Sequence, residues 1–159
     1  MSDLDFYIDT VCEDISGFDS GYANFNEYLR QQDDTAVIHY MIEAETEKLV
    51  AYFSLLSSAL LFGEMNNLNS VPAIELKMFA VDKQYQKTGV TPILLNAILR
   101  TISHYAKEYV GANIVLLYSV PVDAVVGLYE RCGFQRSEGL FATYTSTFNA
   151  GCVPMFKGI

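Results

Sequence analysis

The stretch that most constrains this chain runs from a strand-like segment through a short turn into a long helix-like segment. AIELKMFAVD is apolar and strand-like, QKTGVTP (residues 86–92) is turn-forming, and TPILLNAILRTISHYAKEYVG carries apolar residues at helical spacing. Leu95, Ile98, Ile102, Tyr105 and Tyr109 fall on one stripe, which predicts a buried face. Thr91 is placed to cap this helix, Pro92 suits its first position and Gly111 ends it.

The flanking segments add strands. Leu4, Phe6 and Ile8 alternate with Asp5, Tyr7 and Asp9, the pattern of a half-buried strand. AVIHYMIEA and KLVAYFSLLSSALLF read as two strands, with ETEK as the turn of an antiparallel hairpin between them. NIVLLYSV reads as a buried strand, VDAVVGLYERCG as a short helix ended by Gly133, and ATYTSTF and CVPMFKGI as two more strands. GFDSGYANFNEYLRQQ reads as a helix with Phe25, Tyr28 and Leu29 on one face, capped by Ser20 or Asp19. The order predicts a mixed α/β (α+β) fold with about seven strands and flanking helices. With 159 residues and no repeat or linker, the whole chain, 1–159, is expected to be one domain.

Charge is unevenly distributed. Net charge is −9, yet residues 1–50 carry twelve acids against two bases, and the remainder seven against eight. The acidic third should repel nucleic acid and attract cations, or simply keep the chain soluble. Nucleic acid is therefore not expected as a partner. Cys12, Cys132 and Cys152 are well separated, which suits reduced thiols in a cytoplasm. No apolar run approaches the ~20 residues of a membrane helix, and MSDLDFYIDT lacks the features of a signal peptide.

The turn itself has chemical potential. A helix N-terminus offers unpaired backbone N–H groups and a partial positive charge. Gly89 lets the chain aim successive N–H groups at one anion, with Lys87 supplying charge and Thr88 and Thr91 hydroxyls. A plain tight turn would use the same residue types. The stretch is neither a Walker loop nor the three-glycine dinucleotide fingerprint. His39 and His104 are isolated, no Cys/His/carboxylate spacing suggests a metal, and GFDSG is not a hydrolase elbow.

AVDKQYQKTGVTPILLNAILR resembles the acetyl-CoA-binding motif of the GCN5-related N-acetyltransferases, the GNAT superfamily. The motif, Gln/Arg-x-x-Gly-x-Gly/Ala between a strand and a long helix, is matched by Gln86, Lys87, Thr88, Gly89, Val90 and Thr91. Thr91 departs from the small residue of the pattern. LYERCGF (residues 128–134) resembles the late Tyr-x-x-x-Gly-Phe signature, and FDSGYANFNEYLRQQ resembles the N-terminal segment of a branch that includes acetyltransferase toxins of toxin–antitoxin pairs.

The resemblance implies acetyl transfer from acetyl-CoA, as co-substrate, directly to a primary amine. It implies that Tyr129 is the general acid for the leaving thiolate. It implies that Glu75 stands where some relatives carry a base, though many relatives have none. It implies that the backbone of Met78, Phe79, Ala80 and Val81 serves the pantetheine arm and the carbonyl oxygen. Asp123 stands where relatives place Asn or Asp ahead of the tyrosine helix; capping that helix is its simpler role.

Three functions follow. The first is an N-acetyltransferase for a small-molecule or peptide amine, with a cationic acceptor favoured by the acidic third. The second is a toxin-like enzyme acting on aminoacyl-tRNA, which the N-terminal segment favours and the net charge opposes. The third is a weak acyl-CoA-binding module working through a partner. Homodimers are common in the superfamily, and the β tail is a candidate interface.

Overall fold

The first helix, α1 (Ala23–Gln31), lies between β1 (Phe6–Asp9) and a hairpin of β2 (Val37–Glu43) and β3 (Leu49–Glu64). β4 (Asn67–Val81) leads through the turn to α2 (Thr91–Tyr105), which a π-helical turn (Ala106–Val110) continues. β5 (Ile114–Ser119), α3 (Asp123–Arg131), β6 (Gln135–Arg136) and β7 (Val153–Gly158) follow. The computed structural model describes residues 4–64, 66–137 and 151–159. The expected strand ATYTSTF lies outside them.

The strands form a seven-stranded sheet in the order β1-β2-β3-β4-β5-β7-β6. β4 and β5 pair in parallel, whereas β1–β2, β2–β3, β5–β7 and β6–β7 are antiparallel. A parallel pair needs a crossover, and α2 provides it. This is the expected mixed sheet, and the ETEK turn closes its hairpin. Among the described residues no helix is long and apolar enough to cross a membrane.

The chain divides into two units, Met1–Leu56 with Lys77–Leu95, and Ser57–Leu76 with Asn96–Ile159. In the first, Leu29, Ile38, Tyr40, Ile42, Leu49, Tyr52 and Ala80 form a buried cluster, and Phe18, Phe25, Tyr28 and Met78 pack against it. In the second, Ala73 and Leu116 are buried with Leu60, Ile114, Tyr118 and Phe156 against them. In the first cluster Ile38, Tyr40 and Ile42 are alternate positions of β2, and in the second Ile114, Leu116 and Tyr118 are alternate positions of β5, so each set shares one face of the sheet.

Four local expectations need correction. Neither Ser20 nor Asp19 caps α1: Tyr22 occupies that position without a side-chain bond. Both polar side chains are committed elsewhere, Ser20 to Asn26 and Asp19 to Lys83, Asn26 and the Gly21 N–H. Thr91 is the first helical residue of α2 rather than its cap. Asp123 likewise is the first helical residue of α3, after Val122, and makes no capping bond. In α2, Leu95, Ile98 and Ile102 are fully buried, but Tyr105 is only partly so and Tyr109 is 76% exposed. Ala106, four residues after Ile102, continues the buried stripe at ordinary helical spacing, and the residues of the π turn beyond it, Lys107–Val110, are exposed.

Candidate active site

In the first unit, the turn after β4 is built on Asp82. This residue is 5% exposed and its carbonyl accepts from the Tyr85 N–H at 2.9 Å and the Gln86 N–H at 3.3 Å. One carboxylate oxygen accepts from the Gln84 N–H and the other from the Asp19 N–H. Thr88 donates its hydroxyl to the Tyr85 carbonyl at 2.6 Å. The Gln86 side-chain amide donates to the carbonyls of Ser20 and Val81, both at 2.7 Å.

What this leaves open is a set of donors. Among the described residues, the backbone N–H groups of Lys87, Thr88, Gly89, Val90, Thr91 and Ile93 make no hydrogen bond; the first helical bond is Leu94 N–H to Val90 C=O. Lys87 (φ 62°) and Gly89 (φ 82°) both adopt the left-handed region, the alternation that curls successive N–H groups into a concave nest. A Cβ built on Gly89 meets nothing within 4 Å, so the turn is open where an anion would enter. Lys87, Thr88 and Gly89 are exposed, and Val90 is buried and anchors the turn. The site fits a phosphate-bearing ligand.

Met78, Phe79, Ala80 and Val81 form the end of β4 in this unit, with Ala80 and Val81 buried. The parallel ladder with β5 pairs Ala73–Leu76 with Ile114–Leu117, so these four residues lie past its end.

The second unit holds the other predicted residues. Glu75 is half-buried on β4, in register with Leu116 of β5. Asp123 is exposed at the start of α3, where a negative charge suits the helix dipole. Tyr129, on the same helix, is 9% exposed. The sequence that follows it turns back on it. Gly133 takes φ 96°, which a side chain would oppose, and a Cβ there would come within 2.5 Å of Lys157 Nζ. That turn lets Phe134 bond its N–H to the Tyr129 carbonyl and meet the Tyr129 ring edge-on, centroids 5.7 Å apart.

The Tyr129 hydroxyl makes no hydrogen bond among the described residues, where no buried side-chain oxygen or nitrogen lacks a partner. The hydroxyl therefore reaches accessible surface, while burial of the ring pushes its pKa up to about 12, with the Cys132 thiol adding to the shift. A tyrosine held so is a neutral proton donor at physiological pH.

The sequence profile of the acetyltransferase (GNAT) family matches residues 6–134. The chain belongs to this family. It is an acetyltransferase and takes its acetyl group from acetyl-CoA. No curated protein sequence matches it. Solved structures similar to it include the KacTA–DNA complex (20% identity, TM-score 0.72, 97% of this chain and 93% of that one). AtaTR bound with acetyl-CoA is similar at 19% identity and TM-score 0.73, over 99% and 95% of the two chains. AtaT complexed with acetyl-methionyl-tRNAfMet follows at 16% and 0.71, over 94% of each. At such identities the likeness establishes the GNAT fold.

Sequence reasoning missed the second layer. Gln86 belongs to the motif, but its side chain faces protein carbonyls. Asp19, Ser20 and Asp82 brace the turn, and only the FDSG segment hinted at them. Tyr28, Asp33 and Lys77 form a further polar cluster in the first unit. Tyr28 donates to Asp33 at 2.8 Å, Lys77 pairs with Asp33 at 2.5 Å, and the lysine lies 5.9 Å from the Tyr28 ring centroid.

Proposed function

We propose that the chain works as one acetyltransferase domain over 1–159, moving the acetyl group of acetyl-CoA directly to the α-amine of an aminoacyl-tRNA. The open N–H groups from Lys87 to Thr91 receive the diphosphate, and the backbone of Met78–Val81 receives the pantetheine arm. The neutral amine forms a bond to the thioester carbonyl carbon, and the carbon–sulfur bond breaks. Tyr129 gives its proton to the departing thiolate. Glu75, or water, takes the proton released by the amine. Asp123 supports the start of the tyrosine helix.

The acceptor rests on one observation: the likeness, over 94% of both chains, to AtaT complexed with acetyl-methionyl-tRNAfMet. The expectation that nucleic acid is no partner has no support among such neighbours. The net charge of −9 stays a counterweight, and the excess of bases over acids beyond residue 50 is where tRNA phosphates would be met.

A cationic small amine is the second reading. It is favoured by a groove of about 860 Å³ in the first unit, lined by Asp9, Glu13, Asp14, Glu47 and Asp82 against Lys48 alone. The deciding experiment offers radiolabelled acetyl-CoA with charged tRNAs, spermidine and a lysine peptide in parallel. Label on the aminoacyl group supports the first reading. Label on spermidine or the peptide, with charged tRNA untouched, supports the second and overturns the first.

A further inference from the structure

Two stretches 63 to 66 positions apart in sequence are laced together in the first unit. The Asp19 N–H donates to Asp82 Oδ2 at 3.0 Å, and the Lys83 N–H donates to the Asp19 carbonyl at 2.8 Å. The Gln86 amide donates to the Ser20 carbonyl at 2.7 Å. Ser20 and Asp82 are 2% and 5% exposed, so these bonds are shielded from water. The Lys83–Asp19 ion pair, 2.7 Å long, is well exposed on both sides and contributes little.

Gln86 is the junction. Its two amide hydrogens are both used, one on Ser20 O and one on Val81 O, so it has no donor left for an anion. The next residue, Lys87, holds a left-handed conformation that is uncommon for a non-glycine residue, and it follows directly on the bonded Gln86. The turn is fixed on either side, by Gln86 and Asp82 before it and by the Val90–Leu94 bond after it.

We propose that the Phe18–Gly21 segment is a positioning element for the acetyl-CoA diphosphate seat, acting through Gln86, which holds the seat in shape without touching the ligand. Asp19 serves as the segment's internal brace: one carboxylate oxygen accepts from the Gly21 N–H and the Asn26 amide. Phe18 fixes the segment to the core, meeting the Tyr52 ring edge-on at 5.5 Å. The inference rests on the reading that the 87–91 turn receives the diphosphate.

The test compares two donors by calorimetry: acetyl-CoA, and S-acetylpantetheine, which has the thioester and arm but no diphosphate. Gln86→Met keeps the length of the side chain and removes both donors. It should weaken acetyl-CoA about tenfold and leave S-acetylpantetheine within about twofold. Gln86→Arg, whose guanidinium can donate to the same two carbonyls, should recover most of the loss.

Unchanged acetyl-CoA affinity in folded Gln86→Met overturns the proposal. Equal loss for both donors does so too, because it would make Gln86 a support of the fold at large. If Gln86→Met does not fold, Asp19→Ala, which removes the oxygen that accepts from Gly21 and Asn26, should show the same selective loss, about threefold, and its absence is equally fatal. Wild-type protein that binds the two donors with equal affinity would instead remove the diphosphate seat itself.

Discussion

Replacing Tyr129 with phenylalanine deletes one hydroxyl and keeps the ring. The ring is 9% exposed and its edge-on contact with Phe134 is one a phenyl group repeats. The hydroxyl has no partner among the described residues, so its loss orphans nothing there, and stability near pH 7 should change by less than about 1 kcal/mol. Burial pushes the phenol up to about 12, so it is protonated at working pH and can neutralise a thiolate whose free thiol has a pKa near ~8.5. Removing a general acid costs about 10²–10⁴ in rate, or roughly 3–5 kcal/mol of barrier. Single-turnover acetyl transfer should fall by that factor, with acetyl-CoA affinity within about threefold of wild type. A fall of less than about fivefold would refute the general-acid role. The raised pKa has a second signature. Its contribution to stability is fully present below pH ~10 and is lost as pH rises through ~12, roughly 2–3 kcal/mol, and Tyr129→Phe should not show that loss.

Lys77→Met leaves Asp33, 9% exposed, with Tyr28 and Thr35 but no cation, and should destabilise the protein by about 1–2 kcal/mol in urea melts. Lys77 is the main cause that holds the Asp33 carboxyl well below the usual range, so its contribution is present above pH ~4 and fades on further acidification. Lys77→Met should therefore move the acid-unfolding midpoint to higher pH; an unmoved midpoint would contradict the pairing. Ile98→Ala, at a fully buried site of α2, should cost about 2–5 kcal/mol. Tyr109→Ser, within the π turn, should cost less than about 0.5 kcal/mol, and a cost matching that of Ile98→Ala would contradict a buried stripe that ends at Ala106.

The strand–turn–helix unit was legible because three signals agree over 73–111: strand-like hydrophobicity, Gly-Thr-Pro punctuation and helical period. The LYERCGF motif was legible for a related reason, since only Gly133 permits the turn that brings Phe134 onto Tyr129. Period allowed either Tyr105 or Ala106 after Ile102, and could not foresee that the buried stripe ends at Ala106 and leaves Tyr109 in the π turn exposed. The full length of β4 was hidden because Asn67–Ser70 are exposed and carry no burial alternation. β6 is two residues long and leaves no period to read. Caps were misplaced because polar residues near a helix start signal a cap only when nothing else claims them. Lys83 and Asn26, remote or downstream, claim Asp19 and Ser20. Gln86 shows the same limit: spacing identifies the residue, but only the fold reveals which way its amide faces.

The most direct test of the central claim is thermal melting with and without acetyl-CoA, beside Gly89→Tyr. Ligand at about 100 times its dissociation constant should add ~2.7 kcal/mol, a rise of roughly 5–10 °C for a chain of this size. Gly89→Tyr places a bulky side chain at φ 82° in the open mouth of the turn; the strain should lower its melting point below that of the unliganded wild type, and acetyl-CoA should produce no rise. A wild-type protein that shows no rise, or a variant that shows the same rise, would contradict an acetyl-CoA seat at residues 87–91.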